Sequence, residues 1–236
     1  VAVEMVTASG DVIHADETHE QDLLWACRGG GGGNFGVVTS FKFKTHPIGD
    51  VAIFSATWRR DDLARVLDAW QTWAPYVDDR LTCVITLYGG PDGRVRSVGQ
   101  LSGSADELRD LLGPLLAAAE PAHLSIQSMP YLRAVGYFAG LGTDPDQWTV
   151  YQRHTQKIFK NTSAYAYEHF GSGAIAAIAA QLERAPSDGC LVMLDAYGGA
   201  VGRIPPEATA FYHRKALCSL QYQAYWSRPE DEAAHV

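Results

Sequence analysis

Two groups of residues in this 236-residue chain have types and spacing that suit chemistry. The first is a run of five glycines, Gly29 to Gly33, bracketed by Trp25-Ala26-Cys27-Arg28 and Asn34-Phe35-Gly36-Val37-Val38-Thr39-Ser40. Glycine reaches positive φ and lets backbone approach a ligand closely. Clustered backbone N–H groups cradle a phosphate or a polarised ring edge. No Gly-Lys-Ser/Thr follows, so this is not a P-loop. The run lies after a helical segment and before a strand, so it is not a Rossmann turn either. A flexible linker is the bland reading, and the regular elements on both sides argue against it. The second group is Ser219, Gln221 and Gln223, which alternate with Leu220, Tyr222 and Ala224. That period puts the three polar side chains on one strand face. Polar side chains on a buried strand suggest a wet cavity.

Other residue types are less informative. His213-Arg214 has a base of the right type for neutral pH. Cys27, Cys83, Cys190 and Cys218 are widely spaced among apolar neighbours, with no CxxC, so they read as buried thiols rather than metal ligands. No metal site is expected. Asn161-Thr162-Ser163 is a glycosylation sequon of a kind that arises often by chance.

The elements that must position these groups follow from periodicity. Val1 to Thr7 reads as a strand, and Asp11 to His14 as its hairpin partner. Glu20 to Arg28 reads as a helix with Thr18 as N-cap. Phe35 to Thr45 reads as a strand ended by His46-Pro47. A boundary is placed there, giving regions 1–47 and 48–236. The second region begins with a strand over 51–60. A helix follows with Leu63, Val66, Leu67 and Trp70 on one face, then a hairpin of Leu81 to Tyr88 with Arg94 to Leu101. Ser104 with Glu107 forms a capping box for a helix that Pro114 is expected to bend. Strands over His123–Met129, Thr162–Tyr167, Leu191–Asp195 and Ala216–Trp226 follow. Helices are expected near 130–140 and around Ile175, Ile178 and Leu182, with an irregular tract over 141–157. This order predicts an α+β fold: an antiparallel sheet with helices packed on one face.

The bulk numbers exclude some partner classes. Lys and Arg total 19 against 27 Asp and Glu, a net charge of −8, which disfavours nucleic acid. No apolar run of eighteen residues exists, so no membrane-spanning helix is expected. Cellular location is not legible.

The stretch "DLLWACRGGGGGNFGVVTSFKFKTHPI" resembles the signature of FAD-linked oxidases of the berberine bridge enzyme-like group, whose FAD domain is of the p-cresol methylhydroxylase type within the vanillyl-alcohol oxidase superfamily. "VEMVTASGDVIHA", "FKNTSAYAYEHF" and "DAYGGAVGRIPPEATAFYHRKALCSLQYQAYW" resemble further segments of that group. The resemblance implies that 1–47 is the end of an FAD-binding domain and 48–236 a substrate-binding domain, incomplete at its C-terminus. It implies that backbone at Gly32, Gly33, Asn34, Gly36 and Val38 lies against FAD, although Asn34 is equally a turn residue. It places Asp195 among the substrate-facing side chains with Ser219, Gln221 and Gln223, or at a solvated strand end. It implies a structural role for the His213-Arg214 pair, ahead of a strand. The group's pyrophosphate-binding subdomain, flavin-linking residues and C-terminal asparagine-tyrosine segment have no counterpart here. The chain is therefore expected to be a C-terminal fragment that is inactive alone and needs the N-terminal FAD subdomain, with the catalytic base outside it. The implied activity is hydride transfer from an alcohol, sugar or secondary-metabolite C–H to flavin N5, with dioxygen as reoxidant. A non-catalytic binding protein on the same fold, or a dehydrogenase with a protein electron acceptor, are the alternatives.

Overall fold

The structure, a computed structural model, describes residues 1–142, 144–148 and 158–235. In chain order the elements are β1 (Ala2–Val6), β2 (Val12–Asp16), α1 (Gln21–Cys27), β3 (Val37–Lys42), β4 (Asp50–Arg59), α2 (Leu63–Trp73), β5 (Leu81–Tyr88), β6 (Arg94–Leu101), α3 (Ala105–Leu111), α4 (Gly113–Ala118), β7 (His123–Pro130), α5 (Tyr131–Phe138), β8 (Ile158–Ala166), α6 (Ser172–Glu183), β9 (Cys190–Ala196), α7 (Gly199–Arg203), β10 (Cys218–Trp226) and α8 (Glu232–His235). They divide into two compact units. One comprises Val1–Pro47 with Ala200–Lys215, the other Ile48–Gly199 with Ala216–Val236.

The first unit is a three-stranded antiparallel sheet of order β2-β1-β3. Its core is small: Val3, Ala15 and Leu24, with Leu23 and Cys27 packed beside them. The strand expected over Phe35–Thr45 is shortened to β3, because β1 offers partners only from Val6, opposite Val37, to Ala2, opposite Lys42. Thr18 is not the N-cap of α1. Glu20 takes that position at φ 48°. Asp16 holds the preceding turn by accepting from the backbone N–H of Thr18 (2.7 Å) and His19 (2.9 Å) and from the Thr18 hydroxyl. Those bonds, the Thr18 hydroxyl's first, hold its carboxyl well below the usual carboxylate range. The segment Ala200–Lys215, which the sequence reading left within 48–236, joins this unit. Trp25 Nε1 donates to the Glu207 carbonyl (2.7 Å), and a Cβ on Gly29 would lie 2.4 Å from the Phe211 nitrogen.

The second unit is a seven-stranded sheet, antiparallel throughout, of order β7-β4-β6-β5-β9-β10-β8. Alternation decides its faces. Phe54, Trp58, Cys83, Ile85, Val95, Leu194 and Leu220 point to one side and form a single core with Val66, Leu67 and Trp70 of α2, Leu108 of α3, Leu115 of α4 and Ile175 of α6. The helix opened by Ser104 is broken rather than bent. Pro114 has no N–H to donate, so it begins a second helix, α4. On the opposite face only the edge is covered by a helix among the described residues: Ala134 and Tyr137 of α5 pack on Val51, Ile53 and Met129. The irregular tract expected over 141–157 lies largely outside the described residues. All four cysteines are free thiols, and no described helix is long and apolar enough to cross a membrane.

Candidate functional site

The glycine run is a structured loop. Gly30 N–H donates to the Ala26 carbonyl (2.9 Å), and the Asn34 amide Nδ2 returns to the Gly30 carbonyl (2.6 Å). Asn34 therefore fulfils its turn role. Gly31 and Gly33 stand at φ 93° and 77°, a region that disfavours side chains. Gly36 is required by the protein itself: at φ 150°, a Cβ there would lie 2.4 Å from the Val6 carbonyl oxygen. Gly32 and Gly33 differ, because a Cβ on either would meet nothing within 4 Å. Their backbone borders a recess of about 330 Å³ whose walls include Met5, Cys27, Phe35, Gly36, Val38 and Phe41. Among the described residues, the N–H groups of Gly31, Gly32 and Gly33 are donated to no backbone carbonyl. Open backbone with free donors and an apolar floor fits the phosphates or ring edge of a dinucleotide.

The polar strand residues come together on the face opposite the main helices. Asp195 stands directly across from Ser219 in the β9–β10 register. Its Oδ2 accepts from Ser219 Oγ (3.0 Å) and Gln221 Nε2 (3.1 Å). Gln223 Nε2 then donates to Gln221 Oε1 (2.9 Å). Two residues not singled out from sequence complete the group. Tyr165 of β8 faces Ser219 across the sheet, and its ring centroid is 5.9 Å from that of Tyr197. Asn161, Ser163, Tyr165, Asp195, Tyr197, Ser219 and Gln221 border a recess of about 430 Å³. Burial, then the neighbouring Tyr165, pushes the Tyr197 hydroxyl above its usual pKa. The signal for Tyr165 was present as the alternation of residues 161, 163 and 165, but only the pairing with β10 aims it at Asp195. Of the alternate set on β10, Leu220 is buried in the core, whereas Tyr222 is 39% exposed beside α6.

His213-Arg214 takes no part in either recess. Arg214 Nη2 donates to the Thr209 hydroxyl (2.7 Å), and its guanidinium lies 4.9 Å from the Phe211 ring centroid. The pair braces its own loop. Asn161 of the sequon donates from Nδ2 to the Tyr225 hydroxyl (3.1 Å).

No family model matches the chain. Along its whole length it is 38% identical to the uncharacterized FAD-linked oxidoreductase YgaK of Bacillus subtilis and 36% identical to YvdP of the same organism. The matches cover 51% and 52% of those proteins, so the chain spans about half the length of the curated relatives it matches. It is also 26% identical, over 97% of its length, to reticuline oxidase of Eschscholzia californica, covering 43% of that protein. Among solved structures, berberine bridge enzyme-like 1 of Physcomitrella patens matches 99% of this chain with a TM-score of 0.89 at 24% identity, over 51% of its own length. Berberine bridge enzyme-like 28 of Arabidopsis thaliana matches 98% with a TM-score of 0.84 at 26% identity, over 48% of its own length.

Proposed function

This chain is a homologue of the FAD-linked oxidoreductases of the berberine bridge enzyme-like group, and we propose that it forms part of an FAD-dependent oxidoreductase. In this reading the glycine loop contributes backbone to the flavin site, and the polar sheet face contributes a wall of the substrate site. The observation that carries it is the loop: in a chain homologous throughout to FAD-linked proteins, Gly32 and Gly33 present bare backbone to open space.

FAD, when bound, supplies the hydride acceptor for an alcohol, sugar or secondary-metabolite C–H and passes the electrons to dioxygen. This chain's residues bind and orient. The N–H groups of Gly31 to Gly33 are donors for anionic or carbonyl oxygens of the cofactor. Asp195 fixes the side chains of Ser219 and Gln221, so the substrate meets donors and acceptors already aimed.

A recess of about 330 Å³ is small for a whole dinucleotide, so the chain by itself holds FAD weakly. Purified chain should be colourless, and added FAD should show shallow, saturable quenching of flavin fluorescence. Gly32→Val is the diagnostic change, because its Cβ meets no protein atom. We expect it to abolish the quenching while leaving the melting temperature unchanged. Gly36→Val would not discriminate, since its Cβ collides with β1. Stoichiometric flavin in the purified chain, or quenching unaffected by Gly32→Val, would overturn this reading.

A further inference from the structure

We propose that the polar sheet face accepts a hydroxylated substrate carrying an oxyanion, which is held by Arg59 and Arg96 beside Arg94. This rests on the reading of that face as the substrate wall. Chain alternation puts all three arginines on the same side as Asp195 and Gln221, opposite the main helical core. Arg59 of β4 stands directly across from Arg94 of β6, and Arg96 follows two residues on, beside Thr57 and Thr86.

Like charges directly opposite on a sheet are destabilising unless something offsets them. Arg94 is the one that is offset. It pairs with Asp188 (3.3 Å) and stacks on Tyr88 with its guanidinium carbon 4.1 Å from the ring centroid. Among the described residues, Arg59 and Arg96 have no carboxylate within ion-pair distance. Arg96 spends only Nε, on Ser55 Oγ (3.3 Å), and its terminal nitrogens, which suit bidentate oxyanion binding, remain available. A cationic cluster on a chain of net charge −8 is a local concentration, not a reflection of composition.

The register gives the geometry. Arg96, Thr86, Met193 and Gln221 stand in one row across β6, β5, β9 and β10. Three strand spacings separate the ends, roughly 14 Å between backbones. Gln221 leans inward onto Asp195 of β9, whereas Arg96 leans outward onto Ser55 of β4. A ligand anion held there sits over β4 and β6, and its hydroxyls lie along the row that runs through Thr86 towards the Asp195–Ser219–Gln221 group.

Calorimetric titration of the chain with D-glucose, D-glucuronate and glucose 6-phosphate tests this without flavin. The charged sugars should bind about tenfold more tightly than glucose, with the preference shrinking as salt rises. Arg96→Gln should reduce them to the level of glucose, and Arg96→Lys should restore part of the difference. Arg59→Gln, at an exposed position that does not threaten folding, should weaken them as well. A preference for one anion over the other identifies the source of the oxyanion and upholds the inference. Equal affinity for all three sugars, binding of neither anion, or no effect of Arg96→Gln and Arg59→Gln overturns it. Anion binding by a chain that shows no FAD response would instead remove the flavin reading and leave the anion site standing.

Discussion

At the scale of single residues, the Asp195 carboxylate sets how the sheet face behaves. One of its oxygens accepts from both Ser219 and Gln221, and Gln221 in turn accepts from Gln223. A shared acceptor couples the three side chains, so their removal is not additive. Gln221→Leu deletes the middle of this relay and leaves Gln223 without its partner. Both side chains are half-buried and can find water, so the cost to stability should be about 1 kcal/mol or less. The effect on turnover should be larger. If the sheet face is the substrate wall we propose, kcat/KM of the complete flavin-loaded oxidoreductase should fall at least about tenfold with flavin content unchanged. Steady-state kinetics beside a melting curve check this, and an unchanged specificity constant would remove Gln221 from the substrate wall. Asp195, Ser219, Gln221 and Gln223 were legible as candidates from alternation and resemblance. Tyr165 and Arg96 were not, because their relevance depends on which strands lie beside them.

Among the elements, α3 and α4 show local chemistry acting as read. Ser104 accepts from Glu107 N–H (3.1 Å), Glu107 returns to the Ser104 N–H (2.8 Å), and the helix starts where these two bonds satisfy its free donors. Arg80 also reaches Glu107 (3.3 Å), tying the cap to the start of β5. Ser104→Ala should lower unfolding free energy by about 1 kcal/mol. Denaturant titration of that variant, of Glu107→Ala and of the pair should show less than additive loss, since each bond depends on the other. Full additivity would mean the box does not act as a unit. Element lengths were harder to read. The strand expected over 162–167 begins instead at Ile158, because β10 supplies partners from Cys218, opposite Ala166, to Trp226, opposite Ile158.

For the whole molecule, core burial makes stability depend on alkaline pH. Burial pushes the Cys218 thiol from 9.0 up to about 11, with the Asp195 carboxylate adding to the shift, and burial pushes the Cys83 thiol up to about 12. An unfolded chain loses these protons near pH 9, while the folded chain keeps them. Above that point the native state binds more protons, so unfolding free energy falls as pH rises. The stabilisation is complete below about pH 9 and is lost progressively towards about pH 11 for Cys218. Melting temperature across that window should decline, and Cys218→Ala should flatten the decline. An identical slope in the variant would show that this thiol does not titrate with unfolding.

The sequence by itself determined what acts over short range. Apolar period chose strand or helix, Ser104 with Glu107 started a helix, and the glycines after Arg28 marked a loop that regular structure cannot enter. Its motifs also carried the resemblance to FAD-linked oxidoreductases, to two of which the chain is 38% and 36% identical along its whole length. Tertiary structure decided what depends on neighbours distant in the chain. It set strand order, which brings Arg96 into one row with Gln221, and register, which sets Tyr165 opposite Ser219. It returned Ala200–Lys215 to the first unit, where Phe211 packs on Gly29. It also gave Gly36 a reason unrelated to any ligand, the close passage of the Val6 carbonyl. Such contacts arise from burial and hydrogen bonding between remote segments, and side-chain alternation shows which face a residue takes but not which partner it meets there.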